Sequence, residues 1–391
     1  NTSARAFSTG DRFELRPVAK LFEDIRTLAI EDRPRAQPIV VNGDMGVAQR
    51  GDQTGKTAES MTACDRFRFN IINLGTWSLV QSTDNPGNGF GNSLKIDCTT
   101  ADASPAAGDN AYLSMQTEGR NLQGLLKGTS AAKTSTISYW IKSNKTGNYV
   151  AELWDRTNDR HVGKVVTISQ ANTWEKHVCN FPADTSGALA ASNARSVMIS
   201  WAFDAGSNFT SGTLPSAWQA RVDANRFVGT TLALGDSTDN EVLITGVQWE
   251  VGTFDANSIA PFQFEDGGAS LARCQRYCVV IGSGDASYQN IGIHGLGIGS
   301  TIVDTIQPLH PPMRAEPSMS NSGNLQASNG SSGFAATAIA ITTISNSRQS
   351  AGIRLTVGSG ISAGSSYRIE QANSSSSCLL YTSDAADEVV S

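Results

Sequence analysis

Five sets of residues in this chain have types and spacings that invite chemistry. Gly51-Asp52-Gln53-Thr54-Gly55-Lys56-Thr57 suggests a phosphate-binding loop, but the first glycine of such a loop would fall at position 50, where Arg50 stands. No helix follows to aim its N-terminus at phosphate, and the segment reads as an ordinary loop. Gly295-Leu296-Gly297-Ile298-Gly299 lacks the strand–helix–strand context of a dinucleotide fingerprint. Serine hydrolase chemistry would need Gly-x-Ser-x-Gly, whereas Gly282-Ser283-Gly284 has the wrong spacing and only four histidines could supply a base. His161 and His177 fall on neighbouring predicted strands without a third ligand for a metal, and they read as exposed strand histidines. Glu152 and Asp155 flank Trp154, and two carboxylates about 5–10 Å apart would suit glycoside hydrolysis. Both read instead as solvated charges at a strand edge. No catalytic residue is expected, and the chain reads as a non-enzyme.

Composition narrows the remaining classes. Charged residues make up 17% and glycines number 37, a balance that suits turn-rich β-structure. The net charge of −6, with no basic stripe, argues against a nucleic-acid partner. No apolar run approaches the roughly 20 residues that span a bilayer, so membrane insertion is not expected. The six cysteines, at 64, 98, 179, 274, 278 and 378, show no CxxC pair. They read as free thiols, with a single disulfide as the alternative. The chain begins at Asn1 without a signal-peptide core and reads as a fragment, long enough for two or three domains.

The elements that must position any site are mostly strands. Residues 17–32 hold the one clear amphipathic helical pattern, with Val18, Leu21, Phe22, Ile25, Leu28 and Ala29 on one face and Pro17 and Pro34 at its ends. Such a helix packs on its own chain or serves attachment or oligomerisation. Beyond Pro38 short alternating runs take over, at 136–142, 148–154, 162–168, 174–181, 195–203 and 241–251. Many short strands without helices predict a sandwich or jelly roll. A brief helix over 269–277 leads to a second β-rich region, with strands at 338–344, 352–357 and 366–371 and an exposed loop over 318–333. The fold class is therefore mainly β: a jelly-roll β-sandwich followed by a second small β-domain, after a short N-terminal amphipathic helix. The expected boundaries are 1–37, 38–268, 269–377 and 378–391.

Four phrases, in order across residues 38–370, carry a resemblance: Val41-Asn42-Gly43-Asp44, Ser138-Tyr139-Trp140-Ile141-Lys142-Ser143, Gly246-Val247-Gln248-Trp249-Glu250-Val251-Gly252 and Cys274-Gln275-Arg276-Tyr277. Together they resemble a family of bacteriophage tail-fibre and virion structural proteins that carry a jelly-roll domain of the carbohydrate-binding type. The first and third phrases look like its opening and closing strands. Where the family repeats Tyr after Tyr277, this chain has Cys278. The resemblance implies a tail-fibre or host-recognition subunit of a virion, assembled in the host cytoplasm. It further implies a homotrimer that touches other virion or tail proteins and grips host cell-surface glycan. The alternative is a carbohydrate-binding module of a secreted bacterial polysaccharide-degrading enzyme. No cofactor is implied beyond a structural Ca²⁺ at Asp44, and the closing-strand Asp that partners it in related modules is replaced here by Thr245-Gly246-Val247. The final stretch from Cys378 to Glu388 resembles a translated sequencing adaptor of metagenomic assemblies, which would leave the second domain truncated near residue 377.

That resemblance gives the seven tryptophans a role, because sugar faces stack on aromatic rings while polar side chains pair the hydroxyls. Alternation sends Tyr139 and Trp140 to opposite faces of their strand, so one is core and the other exposed. Trp140, Trp154 and Trp201 lie on mid-domain strands and are the candidate platforms. Arg156, Asn158 and Gln116 are the candidate hydrogen-bonding partners.

Overall fold

The computed structural model describes residues 37–281, 290–291, 294–322, 324–342, 346–372 and 377–381. The predicted helix at 17–32 lies outside them. Two antiparallel sheets pack face to face. One runs β1 (Gln53–Lys56), β4 (Thr76–Ser82), β5 (Ser93–Thr100), β13 (Glu241–Val251), β7 (Ser135–Ser143), β10 (Glu175–Phe181). The other runs β12 (Gln219–Ala220), β9 (Arg160–Ile168), β8 (Gly147–Asp155), β11 (Arg195–Ala205), β6 (Asn110–Glu118), β3 (Phe67–Ile72), β2 (Ser60–Met61). The fold is mainly β, a jelly-roll-like sandwich followed by a second, smaller β-domain.

Period-two patterning builds the sandwich. On β7, Ile137, Tyr139 and Ile141 are buried in the core, while Trp140 and Lys142 keep partial exposure on the outer face. On β11, Val197, Ile199, Trp201 and Phe203 point inward and Met198, Ser200 and Ala202 outward. The two sheets meet through rings: Tyr139 of one stands edge-on to Trp201 of the other, centroids 5.4 Å apart. Five cysteines, at 64, 98, 179, 274 and 278, are buried free thiols.

The opening phrase does not form a strand. Asn42 and Met45 adopt positive φ, and the Asn42 side chain clamps a turn by donating to the Val47 and Asp65 carbonyls, 2.9 Å each, and accepting from the Val47 N–H. This turn still meets the closing strand. The Val47 turn is fastened where Val247 N–H donates to the Gly43 carbonyl at 2.8 Å, and a Cβ at Gly43 would lie 2.1 Å from the Val247 oxygen. Only glycine permits that approach.

The second unit begins with α1 (Gly267–Gln275), capped by the Asp266 carboxylate, which accepts from Gly268 and Ala269. A closed barrel follows in the order β15 (Gly295–Gly297), β16 (Ile302–Pro308), β20 (Ser350–Val357), β19 (Gly333–Ile341), β18 (Leu325–Ser328), β21 (Ser366–Gln371). A three-stranded sheet, β14 (Cys278–Ile281), β22 (Ser377–Tyr381) and β17 (Ser318–Ser322), takes one strand from before the barrel, one from after it and one from between β16 and β18, and the expected boundary at 377/378 falls inside β22. The segment expected to be an exposed loop over 318–333 instead supplies β17 and β18. Leu325 and Ala327 alternate into the barrel core there, although Ser, Asn and Gly surround them.

The Arg-Cys-Gln-Arg-Tyr phrase bolts the two units together. Arg273 bonds Glu265 and the Pro38 carbonyl, each at 2.6 Å. Arg276 and the Tyr277 hydroxyl converge on Glu118, the last residue of β6 and buried. Arg66 lies 3.4 Å above the Tyr277 ring, and Gln49 donates to the Cys278 carbonyl at 2.9 Å.

Candidate functional site

Trp140 stands on the outer face of the six-stranded sheet. Strand register places it beside Thr245 of β13 and Lys176 of β10, with Gln248 and Ser138 one step along. The ladder between β13 and β7 slips between Thr245 and Gln248, and Gly246 in that irregularity has φ +63°. A Cβ there would come within 2.8 Å of the Phe90 ring and 3.1 Å of the Trp140 ring. Glycine thus lets two aromatic rings close over the strand. Phe90, Phe262 and Phe264 complete the cluster, with centroids 4.9–5.0 Å apart. Together with Asn88, Ser138, Lys176 and Gln248 these rings line a cleft of roughly 230 Å³. Apolar walls with a few convergent polar groups are the usual make-up of a small-ligand site.

Trp154 occupies the opposite face of the sandwich, on the seven-stranded sheet. Its row across the strands reads His161, Trp154, Met198, Gln116. The ring is fixed by its Nε1–H, which donates to Asp159 at 3.1 Å, and is flanked by the guanidiniums of Arg156, Arg221 and Arg226 at 4.3, 4.4 and 4.8 Å from its centroid. Glu152, two residues before Trp154 and fully buried, accepts from Arg226 at 2.8 Å, from Ser200 at 3.1 Å and lies 3.0 Å from His161 Nδ1. Burial raises the Glu152 pKa, but the Arg226 charge and these hydrogen bonds outweigh it and hold the carboxyl at about 2.

The six candidate residues therefore do not form one site. Trp201 is fully buried, because it shares the parity of Val197 and Ile199, and it is core rather than platform. Gln116 is also buried, with its amide directed at Met198 Sδ, 3.9 Å away. Asn158 spends its amide on Asp155 and the Ala188 carbonyl, bracing a turn. Trp140 lines the aromatic cleft, and Trp154 with Arg156 lies on the other face.

Two further expectations are corrected. His161 is buried against Glu152 instead of exposed. Glu152 and Asp155 are buried, not solvated: Glu152 points outward beneath Arg226, while Asp155 accepts from Lys127 at 2.5 Å. Asp44, the candidate Ca²⁺ ligand, accepts from the Gly46 N–H within the opening turn.

No protein-family model matches the chain, and no curated protein matches it. Solved structures do. The enzymatically active domain of tailspike protein 4 of bacteriophage CBA120 aligns at 12% identity and a TM-score of 0.26 over 55% of this chain, which spans 21% of that domain. TmCBM61 in complex with β-1,4-galactotriose aligns at 8% identity and a TM-score of 0.27 over 55% of this chain and 99% of the module. The family 11 carbohydrate-binding module of the Clostridium thermocellum cellulase Lic26A-Cel5E gives 12% identity, a TM-score of 0.26 and coverage of 51% and 98%.

Phe90, Phe262 and Phe264 escaped the sequence reading. All three lie outside strands, in the segments before β5 and after β13. One signal was available, since Phe262-Gln263-Phe264 alternates and an extended backbone sets both rings on one side.

Proposed function

We propose that this chain is a non-enzymatic structural subunit of a phage virion that grips host cell-surface glycan through the Trp140 cleft. The observation that carries the reading is the cleft itself: a half-exposed indole beside three phenylalanine rings, with Lys176, Gln248, Ser138 and Asn88 around them. Flat apolar rings match the CH face of a pyranose, and the amide, hydroxyl and ammonium groups match its hydroxyls. The bolt through Glu118, Arg276 and Tyr277 supports the virion assignment, since it gives the phrase most particular to the tail-fibre resemblance a mechanical role between two β-units. Assembly into a homotrimer would present three such clefts, and weak sites linked in this way gain avidity through effective concentration.

The test is retention of labelled protein by intact bacteria before and after mild periodate oxidation of surface sugars, with solution mass measured in parallel by light scattering. The expected result is retention by a subset of strains, abolished by periodate, from a trimeric species. Retention that survives periodate would contradict a glycan receptor. A monomer that binds purified plant or bacterial polysaccharide but no intact cells would favour a module of a secreted enzyme.

A further inference from the structure

The second tryptophan face has a different chemistry. Three arginines surround the Trp154 ring, and two of them are neutralised. Arg226 bonds the buried Glu152, and Arg221 bonds Asp159 at 3.0 Å and also Asp223. Asp159 in turn holds Trp154 Nε1, so ring and Arg221 form one fixed assembly. Arg156 is the exception. Its guanidinium packs 4.3 Å from the ring centroid and has no carboxylate partner among the described residues, although it is only partly exposed. The adjacent Asp155 cannot serve: alternation sends it to the other side of the strand, where Lys127 and Asn158 occupy it.

The electrostatics agree. Burial, and then the like charges of Arg195, Arg226 and Arg221, depress the Arg156 pKa to about 10. A cation in such company is under-compensated within its own chain. Stacking uses only the face of a guanidinium, and its in-plane N–H donors remain free to hold an oxyanion side by side.

We infer that the outer face of the seven-stranded sheet is a second sugar site, selective for acidic glycans, in which Arg156, held against the Trp154 ring, pairs a sugar carboxylate. This rests on the glycan-binding reading but concerns a separate face with a separate ligand class. The two sites divide the work: the Trp140 cleft takes the neutral part of a surface polysaccharide, and the Arg156 face takes uronate or sialate units. Loss of the charge-assisted pair should weaken binding by about 10- to 100-fold.

The experiment compares matched ligands: oligosaccharides containing glucuronate, galacturonate or N-acetylneuraminate, each against its carboxyl-reduced form, by titration calorimetry. Wild-type protein should bind at least one acidic form about tenfold or more tightly over its reduced partner, and about 0.5 M NaCl should shrink the difference. Arg156→Gln should erase the preference and Arg156→Lys should restore part of it, since a structural role alone would not track the carboxyl group. Trp140→Ala should leave the preference intact while removing affinity for neutral sugars, which separates failure of this site from failure of the cleft. Equal affinity for every acidic and reduced pair, or a preference that survives in Arg156→Gln, would overturn the inference. Folding of each variant is checked by its thermal transition.

Discussion

Arg226→Ala is expected to destabilise the sandwich by about 3–5 kcal/mol, the usual cost of removing one partner from a buried ion pair. Glu152 is fully buried, and the guanidinium of Arg226 supplies its strongest contacts. Without it, burial dominates and the carboxyl must either stay charged in an apolar setting or take up a proton. The effect has a pH signature. The Glu152 pKa lies near 2 when folded, below its ordinary value of 4.5. A depressed carboxylate contributes stability that is present above pH 4.5 and lost as pH falls toward 2. In the variant that contribution is gone and the native pKa is raised, so the gap between wild type and variant should be widest near neutral pH and should narrow on acidification. Chemical denaturation at several pH values measures this, and Glu152→Gln combined with Arg226→Ala should cost less at pH 7 than Arg226→Ala alone. A pH-independent gap would show that the loss is one of packing against Trp154 and Phe227 only.

Trp140→Ala carries the largest expected functional effect. Central aromatic anchors cost 2 kcal/mol or more when truncated, which corresponds to roughly 30-fold or greater loss of affinity. Stability should change little, because the indole is on the outer face and its removal opens no core cavity. Trp201→Ala is the informative contrast. That ring fills the sheet interface against Tyr139, so its loss should destabilise the fold by about 3–5 kcal/mol without specifically weakening sugar binding in the protein that remains folded.

These contrasts show what the sequence revealed and where it fell short. Strand β13 was legible to the residue at Glu241–Val251, and β21 at Ser366–Gln371, because the apolar run Val242–Ile244 is short and Val247–Val251 and Tyr367–Glu370 alternate apolar with polar positions. The same alternation already contained the fate of Trp201, which shares parity with Val197, Ile199 and Phe203. Spacing between strands was the weaker guide: three tryptophans on mid-domain strands reached the core, one outer face and the opposite outer face. The aromatic cleft depends on Gly246 at positive φ and on phenylalanines from two irregular segments, and no local periodicity connects residues 90, 246 and 262. Buried charge was illegible for a related reason. Glu152 looks solvated until the chain past β12 returns Arg226 across the sheet, a contact separated by 74 residues. The β18 strand was hidden by composition, because Ser, Asn and Gly mark loops on average, yet this barrel strand needs only to turn Leu325 and Ala327 inward.

The central claim is that sugar binds at the Trp140 cleft, and tryptophan indole N–H resonances test it most directly. Seven indole signals are expected from the chain, each assignable by single substitution. Titration with an oligosaccharide released from a host surface polysaccharide should shift the Trp140 signal in proportion to occupancy, while the buried Trp77, Trp201 and Trp249 signals stay fixed. Saturable binding that leaves the Trp140 signal unmoved would contradict the account.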